Sequence, residues 1–323
     1  GNFPTEWTRF KLGGFLFPTP LVCRECPAND TDLQRLCLRA KSLPANKSCD
    51  VTVVTAYFNL GTLHKMGSMG RYTPKLYEQW MAAFKWITCP LVVFSDSKEV
   101  LETFNQTRAG LPSEKTKLVL LPRHDLWAFK LAPEIKQVYS QPGYPKHQPN
   151  TVNENYSCVM HAKFELVNRV IRQDLYDTKY VMWLDIGLFR DLTRQPHNTL
   201  FRLVAPADFD EAKVGYSKVH KVGQNLTPRQ IVERNLVWVG GATFLGKPDV
   251  LYVYTQDYMR AVRQLLDMKI MSTDQQVIYS MYHGANFSFH PRVEIQTFSG
   301  KEGWSAWFYL GYKMKKDLND TVL

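Results

Sequence analysis

No stretch of the 323 residues reaches the roughly 18 consecutive apolar residues that a membrane-spanning helix requires, so no such helix is expected here. The richest early run, 13–22, is short and broken by Pro18 and Pro20. Internal repeats and low-complexity tracts are absent, which excludes solenoids and arrays. Neither an initiator Met nor a charged-then-apolar leader opens the chain at Gly1, so any signal peptide or anchor is expected outside this sequence. Acidic residues are in deficit, 30 against 40 Lys plus Arg, and the net charge is +10. That balance favours anionic partners through long-range steering. Nucleic acid is not the expected one, because the basic residues are scattered rather than gathered along one face. Nucleotide-sugar phosphates and acidic glycans suit it better.

Apolar content, by contrast, is ample. At 45% hydrophobic and 13% aromatic residues the chain has enough to build a packed core, which excludes wholesale disorder. Glycosylation sequons are also in excess: Asn29, Asn46, Asn105, Asn155, Asn225, Asn286 and Asn319 each begin an N-x-[ST] triplet without Pro. With 14 Asn and 36 Ser plus Thr in the chain, composition alone gives about 1.6 such triplets, against seven found. A lumenal or extracellular compartment follows. There, four of the six cysteines (Cys23, Cys26, Cys37 and Cys49) crowd into a polar, Pro-bearing segment, with Cys89 and Cys158 far downstream. The C-x2-C spacing also suits zinc thiolates. An oxidising lumen favours disulfides, of undetermined connectivity.

Regular structure is expected from Val51 onward, after an irregular, cystine-tied annex over 1–50 with one helical patch near 32–41. Apolar, β-branched runs at 51–58, 90–96, 117–122 and 179–187 read as strands covered on both faces. Helical spacing marks 74–86, a short segment near 98–104, 161–172, 249–268 and 273–282. A Pro-, Gln- and Asn-rich stretch at 133–155 reads as a long loop, 235–246 as a strand, a glycine turn and a second strand, and 286–313 as a β-rich aromatic tail. Strands alternating with helices imply a mostly parallel sheet, whose ligand crevice lies at the carboxyl ends of the strands.

The strongest local signal is Met182-Trp-Leu-Asp-Ile-Gly187, an acid at the end of a buried strand with a glycine two residues on. Asp185 is suited to holding a divalent cation or a sugar hydroxyl; capping of a turn is the plainer alternative. Gly240 and Gly241 would let a main chain approach a phosphate or sugar, or simply form a tight turn. Asp274, in Ser-Thr-Asp-Gln-Gln before an apolar helix, is a candidate base for an acceptor hydroxyl, set against ordinary helix capping by Ser272 or Thr273. Lys163 suits a point charge on a nucleotide diphosphate, with a solvated surface lysine as the plainer alternative, and His290 is a candidate to complete a metal site with Asp185, set against an ordinary structural histidine. Trp304, Trp307, Phe308 and Tyr309 offer aromatic faces for sugar stacking or for core packing.

The segments 53–59 (Val-Val-Thr-Ala-Tyr-Phe-Asn), the 72–80 helix, 90–94 (Pro-Leu-Val-Val-Phe), 161–167 (His-Ala-Lys-Phe-Glu-Leu-Val), 183–187 (Trp-Leu-Asp-Ile-Gly) and 240–246 (Gly-Gly-Ala-Thr-Phe-Leu-Gly) together resemble the HtrL/YibB-like family of proposed glycosyltransferases, over about 50–310. More broadly, the order of parts is similar to the GT-A glycosyltransferase fold. This resemblance implies that Asp185 holds the donor or its metal, Mn2+, and that Thr55, Ala56, Lys163 and Gly187 belong to the donor site. It also implies that Gly240 and Gly241 line the sugar pocket and that Asp274 is a candidate for the catalytic base; by their aromatic faces, Trp304 and Trp307 are the candidates to meet the acceptor. Where the Asp-x-Asp motif of metal-dependent transferases has its second acid, this chain has Gly187.

The expected fold is therefore α/β, a GT-A-like, mostly parallel central sheet with helices on both faces, plus the disulfide-rich annex over 1–50 ahead of a catalytic domain over 51–323. The expected function is transfer of a sugar, with inversion, from a nucleotide-sugar donor, UDP-linked, to a glycan or glycoprotein hydroxyl. The expected place is the Golgi lumen, as the soluble part of a type II membrane protein whose anchor lies outside this sequence, or outside the cell after secretion. A secreted glycan-binding module using the same basic and aromatic surface is the alternative. A glycoside hydrolase needs two carboxylates about 5 to 10 Å apart, and the candidate pair, Asp208 with Asp210, falls in an apparent loop.

Overall fold

The computed structural model describes Thr31 and residues 49–65, 70–195, 199–300 and 305–318. Seven strands form one central sheet: β1 (Val51–Tyr57), β2 (Leu91–Ser95), β3 (Thr116–Leu120), β4 (Tyr180–Leu184), β5 (Val214–Lys218), β6 (Val239–Gly246) and β7 (Ile295–Phe298). Their spatial order is β3-β2-β1-β4-β6-β5-β7. All pairings are parallel except the two made by β6, which runs against both β4 and β5. The mostly parallel sheet expected from the apolar runs is thus present.

Alternation along the strands divides the core into two layers. Val54, Val92, Phe94, Val181 and Trp183 pack on one face. Their cover is α3 (Ala132–Tyr139), α4 (Glu154–Gln173), α5 (Pro228–Glu233), α6 (Pro248–Asp267) and α7 (Asp274–His283). Val53, Leu91, Val93, Met182 and Leu184 pack on the other, under α1 (Pro74–Met81), α2 (Lys98–Thr107) and α8 (Tyr309–Met314). Helices lie on both faces, so β1, β2 and β4 are buried on both sides, which suits their mostly apolar runs.

Three local expectations are corrected. Residues 235–246 hold no glycine turn; Gly240 and Gly241 lie inside the continuous strand β6. Within the supposed loop at 133–155, α3 forms, because Pro133 sits in the first turn of the helix, where its missing N–H costs nothing. The tail contributes one sheet strand, β7, and then α8 rather than a β-rich unit.

Cys49 pairs with Cys89, joining the residue two before β1 to the residue two before β2. The annex cysteines are therefore not all paired among themselves. Cys23, Cys26, Cys37 and the helical patch near 32–41 lie outside the described residues, and Cys158 on α4 is a buried free thiol. Of the sequons, Asn105, Asn225 and Asn286 are exposed and Asn155 is half-buried on α4, while Asn29, Asn46 and Asn319 lie outside the described residues.

Candidate functional site

A cavity of about 840 Å³ opens at the carboxyl ends of β1 and β4, where a parallel sheet is expected to place its ligand crevice. The reversed strand β6 enters the sheet at this same end, so Gly241 and Ala242 join the wall. One side is aromatic. Tyr57 packs on Tyr77 with ring centroids 5.2 Å apart, Tyr77 on Trp80 at 5.1 Å, and Trp80 on Tyr72 at 5.9 Å, all four lining the cavity.

At the cavity floor, α4 delivers Lys163 into a space between two carboxylates. Its Nζ stands 3.2 Å from Asp185 Oδ1 and 3.1 Å from Asp274 Oδ2, and donates to the Gly241 carbonyl at 2.8 Å. Only 2% of the lysine side chain is exposed. Burial alone would drive the ammonium to shed its proton, but the two carboxylates outweigh burial and hold its pKa above the usual lysine value. The acids differ in access: the Asp185 side chain is 35% exposed and that of Asp274 only 3%. Burial pushes the Asp274 carboxyl above its ordinary range, Lys163 pulls it back, and Asp185 adds to the rise. Trp183 Nε1 donates to Asp185 Oδ1 at 2.6 Å, fixing the carboxylate that faces the cavity.

The glycines here are dictated by neighbours. A Cβ on Gly241 would lie 2.3 Å from Asp274 Oδ2, so only glycine admits the acid beside the lysine. At Gly187 it would lie 3.0 Å from the Trp80 ring. On Gly240 it would meet the Trp307 carbonyl at 3.1 Å, which puts that residue beneath Trp307 rather than on the wall.

Of the residues singled out from the sequence, Ala56, Lys163, Asp185, Gly187, Gly241, Asp274 and Trp307 share this cavity. Thr55 does not line it: fully buried, its hydroxyl donates to the Leu184 carbonyl at 2.6 Å and ties β1 to β4. His290 is exposed on the segment between α7 and β7, away from the cavity wall, so it does not complete a site with Asp185. Trp304 lies outside the described residues. Asp208 and Asp210 are exposed between β5 and the strand at Phe201–Leu203, and do not line the cavity.

The residues fit a divalent cation poorly. Among the described residues no three His, Cys, Asp or Glu side chains gather as ligands. Both acids of the wall already face the Lys163 ammonium, and a Cβ at 187 would press on the Trp80 ring at 3.0 Å.

Other site residues were not foreseen. Lys65 follows a two-residue strand, Leu63–His64, and its Nζ stands over the rings of Tyr72 at 4.6 Å and Tyr156 at 5.7 Å. Burial lowers its pKa to about 8, with Asp185 opposing and Lys163 and Arg190 reinforcing the fall. The Arg190 guanidinium lies over Phe308 at 4.6 Å and over Trp80 at 5.4 Å. Arg190 falls three residues beyond Gly187, close enough to the Asp185 motif to be sought there; nothing in the sequence around Lys65 gives a comparable signal.

Residues 49–293 match the family model described as a bacterial protein of unknown function, HtrL_YibB. No curated protein matches the chain. Among solved structures the chain is similar to mouse Xyloside xylosyltransferase 1 in its apo form, at 12% identity and a TM-score of 0.38, over 77% of this chain and 85% of that one.

Proposed function

The chain belongs to the HtrL_YibB family, and from the geometry of its cavity we propose that it is a glycosyltransferase, moving a sugar from a nucleotide donor to a hydroxyl of a glycan or glycoprotein. The observation that carries this reading is Asp185, presented at the end of a central parallel strand into a cavity of about 840 Å³ with aromatic and basic walls. A space of this size is at the upper end for small-molecule sites and suits a nucleotide sugar. Aromatic faces suit sugar rings, and Trp307, 37% exposed on the cavity wall, is the acceptor platform of this reading.

The reaction is a direct displacement. The acceptor hydroxyl oxygen forms a bond to the anomeric carbon, its proton passes to the Asp185 carboxylate, and the bond to the diphosphate oxygen breaks with its electron pair leaving on phosphate. Asp185 takes the base role because it reaches the cavity. Asp274, nearly enclosed, positions Lys163 beside Asp185. Displacement without a covalent intermediate inverts the anomeric centre. A UDP-linked donor, residues 51–323 as the catalytic domain and 1–50 as a disulfide-rich annex complete the proposal. The sequons and the Cys49–Cys89 bridge support work in the Golgi lumen or outside the cell.

Donor turnover tests the reading. Incubation with UDP-, GDP- and CMP-sugars, with and without Mn2+, should release nucleotide diphosphate or monophosphate from one donor class, and Asp185→Asn should lower that rate by at least a hundredfold. No release from any donor, with glycan affinity unchanged in Asp185→Asn, would make the protein a glycan-binding module instead.

A further inference from the structure

We propose that the donor diphosphate is held by fixed side-chain cations, Lys65 and Arg190, and that Lys163 stands where a transferase of this kind would hold a divalent ion, so that nucleotide binding needs no metal. The inference rests on the glycosyltransferase reading.

Three observations support it. First, the only carboxylates among the described residues lining the cavity, Asp185 and Asp274, both lie within 3.2 Å of the Lys163 ammonium. A divalent ion sharing those acids would stand beside a buried positive charge and be repelled by it. Second, position 187 has little room for another acid, since a Cβ there would lie 3.0 Å from Trp80 Cε3 and 3.1 Å from its Cζ3, so the ring would have to shift to admit one. Third, the charges balance. Among the described residues, Lys65, Lys163, Arg190 and Lys221 line the cavity with Asp185 and Asp274, four cations against two anions, an excess of two positive charges. That is roughly the charge of a diphosphate bridging a nucleoside and a sugar, the ligand an electropositive cleft of this kind draws in.

The two proposed phosphate partners are held ready. Lys65 is aimed by the Tyr72 and Tyr156 rings, and Arg190 is clamped between Trp80 and Phe308, with Nη1 also donating to the Gly187 carbonyl at 3.4 Å. Cations oriented before the ligand arrives lose little side-chain freedom on binding it. An arginine adds a fork that matches two phosphate oxygens at once.

Calorimetric titration of the purified protein with inorganic pyrophosphate and with UDP, each in EDTA and in Mn2+, tests the proposal. Both should bind in EDTA, with affinity changing less than threefold when Mn2+ replaces it. Lys65→Gln and Arg190→Gln should each weaken pyrophosphate at least tenfold, and Lys65→Arg should restore most of the loss. Binding that appears only with Mn2+ would overturn the proposal and leave the transferase reading standing, and this comparison needs no variant. Undiminished binding in both folded glutamine variants would overturn it too. Absence of any binding, with or without metal, would remove this proposal and the transferase reading together.

Discussion

Gly241 is the residue on which the site's chemistry depends most directly, because the Asp274 oxygen and the Lys163 ammonium both press on its main chain. Gly241→Ala would drive a methyl carbon to 2.3 Å from that oxygen inside a closely packed strand. Overpacking of this kind costs about 1–3 kcal/mol. Denaturant unfolding should show that loss, and Gly240→Ala, whose Cβ meets a main-chain oxygen at 3.1 Å, should lose less. The pair's use was only half legible in the sequence. Two glycines after a buried tryptophan-valine run read as a turn, since turns and close approaches call for the same residue and only the fold tells them apart. Thr55 was misread for a related reason: a hydroxyl near a strand end serves a ligand or a neighbouring carbonyl equally well, and here Leu184 takes it.

At the scale of elements, the sequence showed its parallel strands plainly, because double coverage writes mostly apolar, β-branched runs at β1, β2 and β4. It hid β5, where Gly215 interrupts the run, and α3, whose Pro133 imitates a loop. Helix α4 carries most of the site and one group that titrates. His161 is fully buried against α6, where its Nδ1 meets the Tyr258 hydroxyl at 2.7 Å and its Nε2 has no hydrogen-bond partner. Burial, and next the Lys163 charge on the same helix, lower its pKa to about 3. The unfolded chain takes up a proton near pH 6.5 and the folded chain does not, so stability is complete above that value and falls below it. The contribution is lost at about 1.4 kcal/mol per pH unit, or about 2 kcal/mol at pH 5. Unfolding curves at pH 7.5 and 5.0 should show it, and His161→Gln should flatten that part of the difference.

For the molecule as a whole, the Cys49–Cys89 bridge and the cavity lie at opposite ends of the same strands, the bridge where β1 and β2 begin and the cavity where β1 and β4 finish. With its cysteines 40 positions apart in sequence, the bridge restricts the unfolded chain by about 4 kcal/mol in the chain-entropy view. Cys49→Ser with Cys89→Ser should therefore lower the melting temperature while leaving donor affinity within twofold of the parent; a parallel loss of affinity would show that the two ends are coupled. This layout was not readable beforehand, since six cysteines permit many pairings and nothing local joins 49 to 89. The cavity's acids and its buried lysine were readable, each standing at the end or start of a periodic segment. Lys65, by contrast, reaches the site through a short irregular excursion that leaves no periodic mark.

Strand β6 alone turns its entrance toward the crevice, so position 241 on that strand and position 274 at the head of α7 occupy one small volume between them. A bulkier residue at the first would oblige a shorter one at the second, and with the acid gone the ammonium of Lys163 would lose half its escort. The two sites are thus free to drift only in step, a pairing that a set of natural relatives would display as correlated exchange.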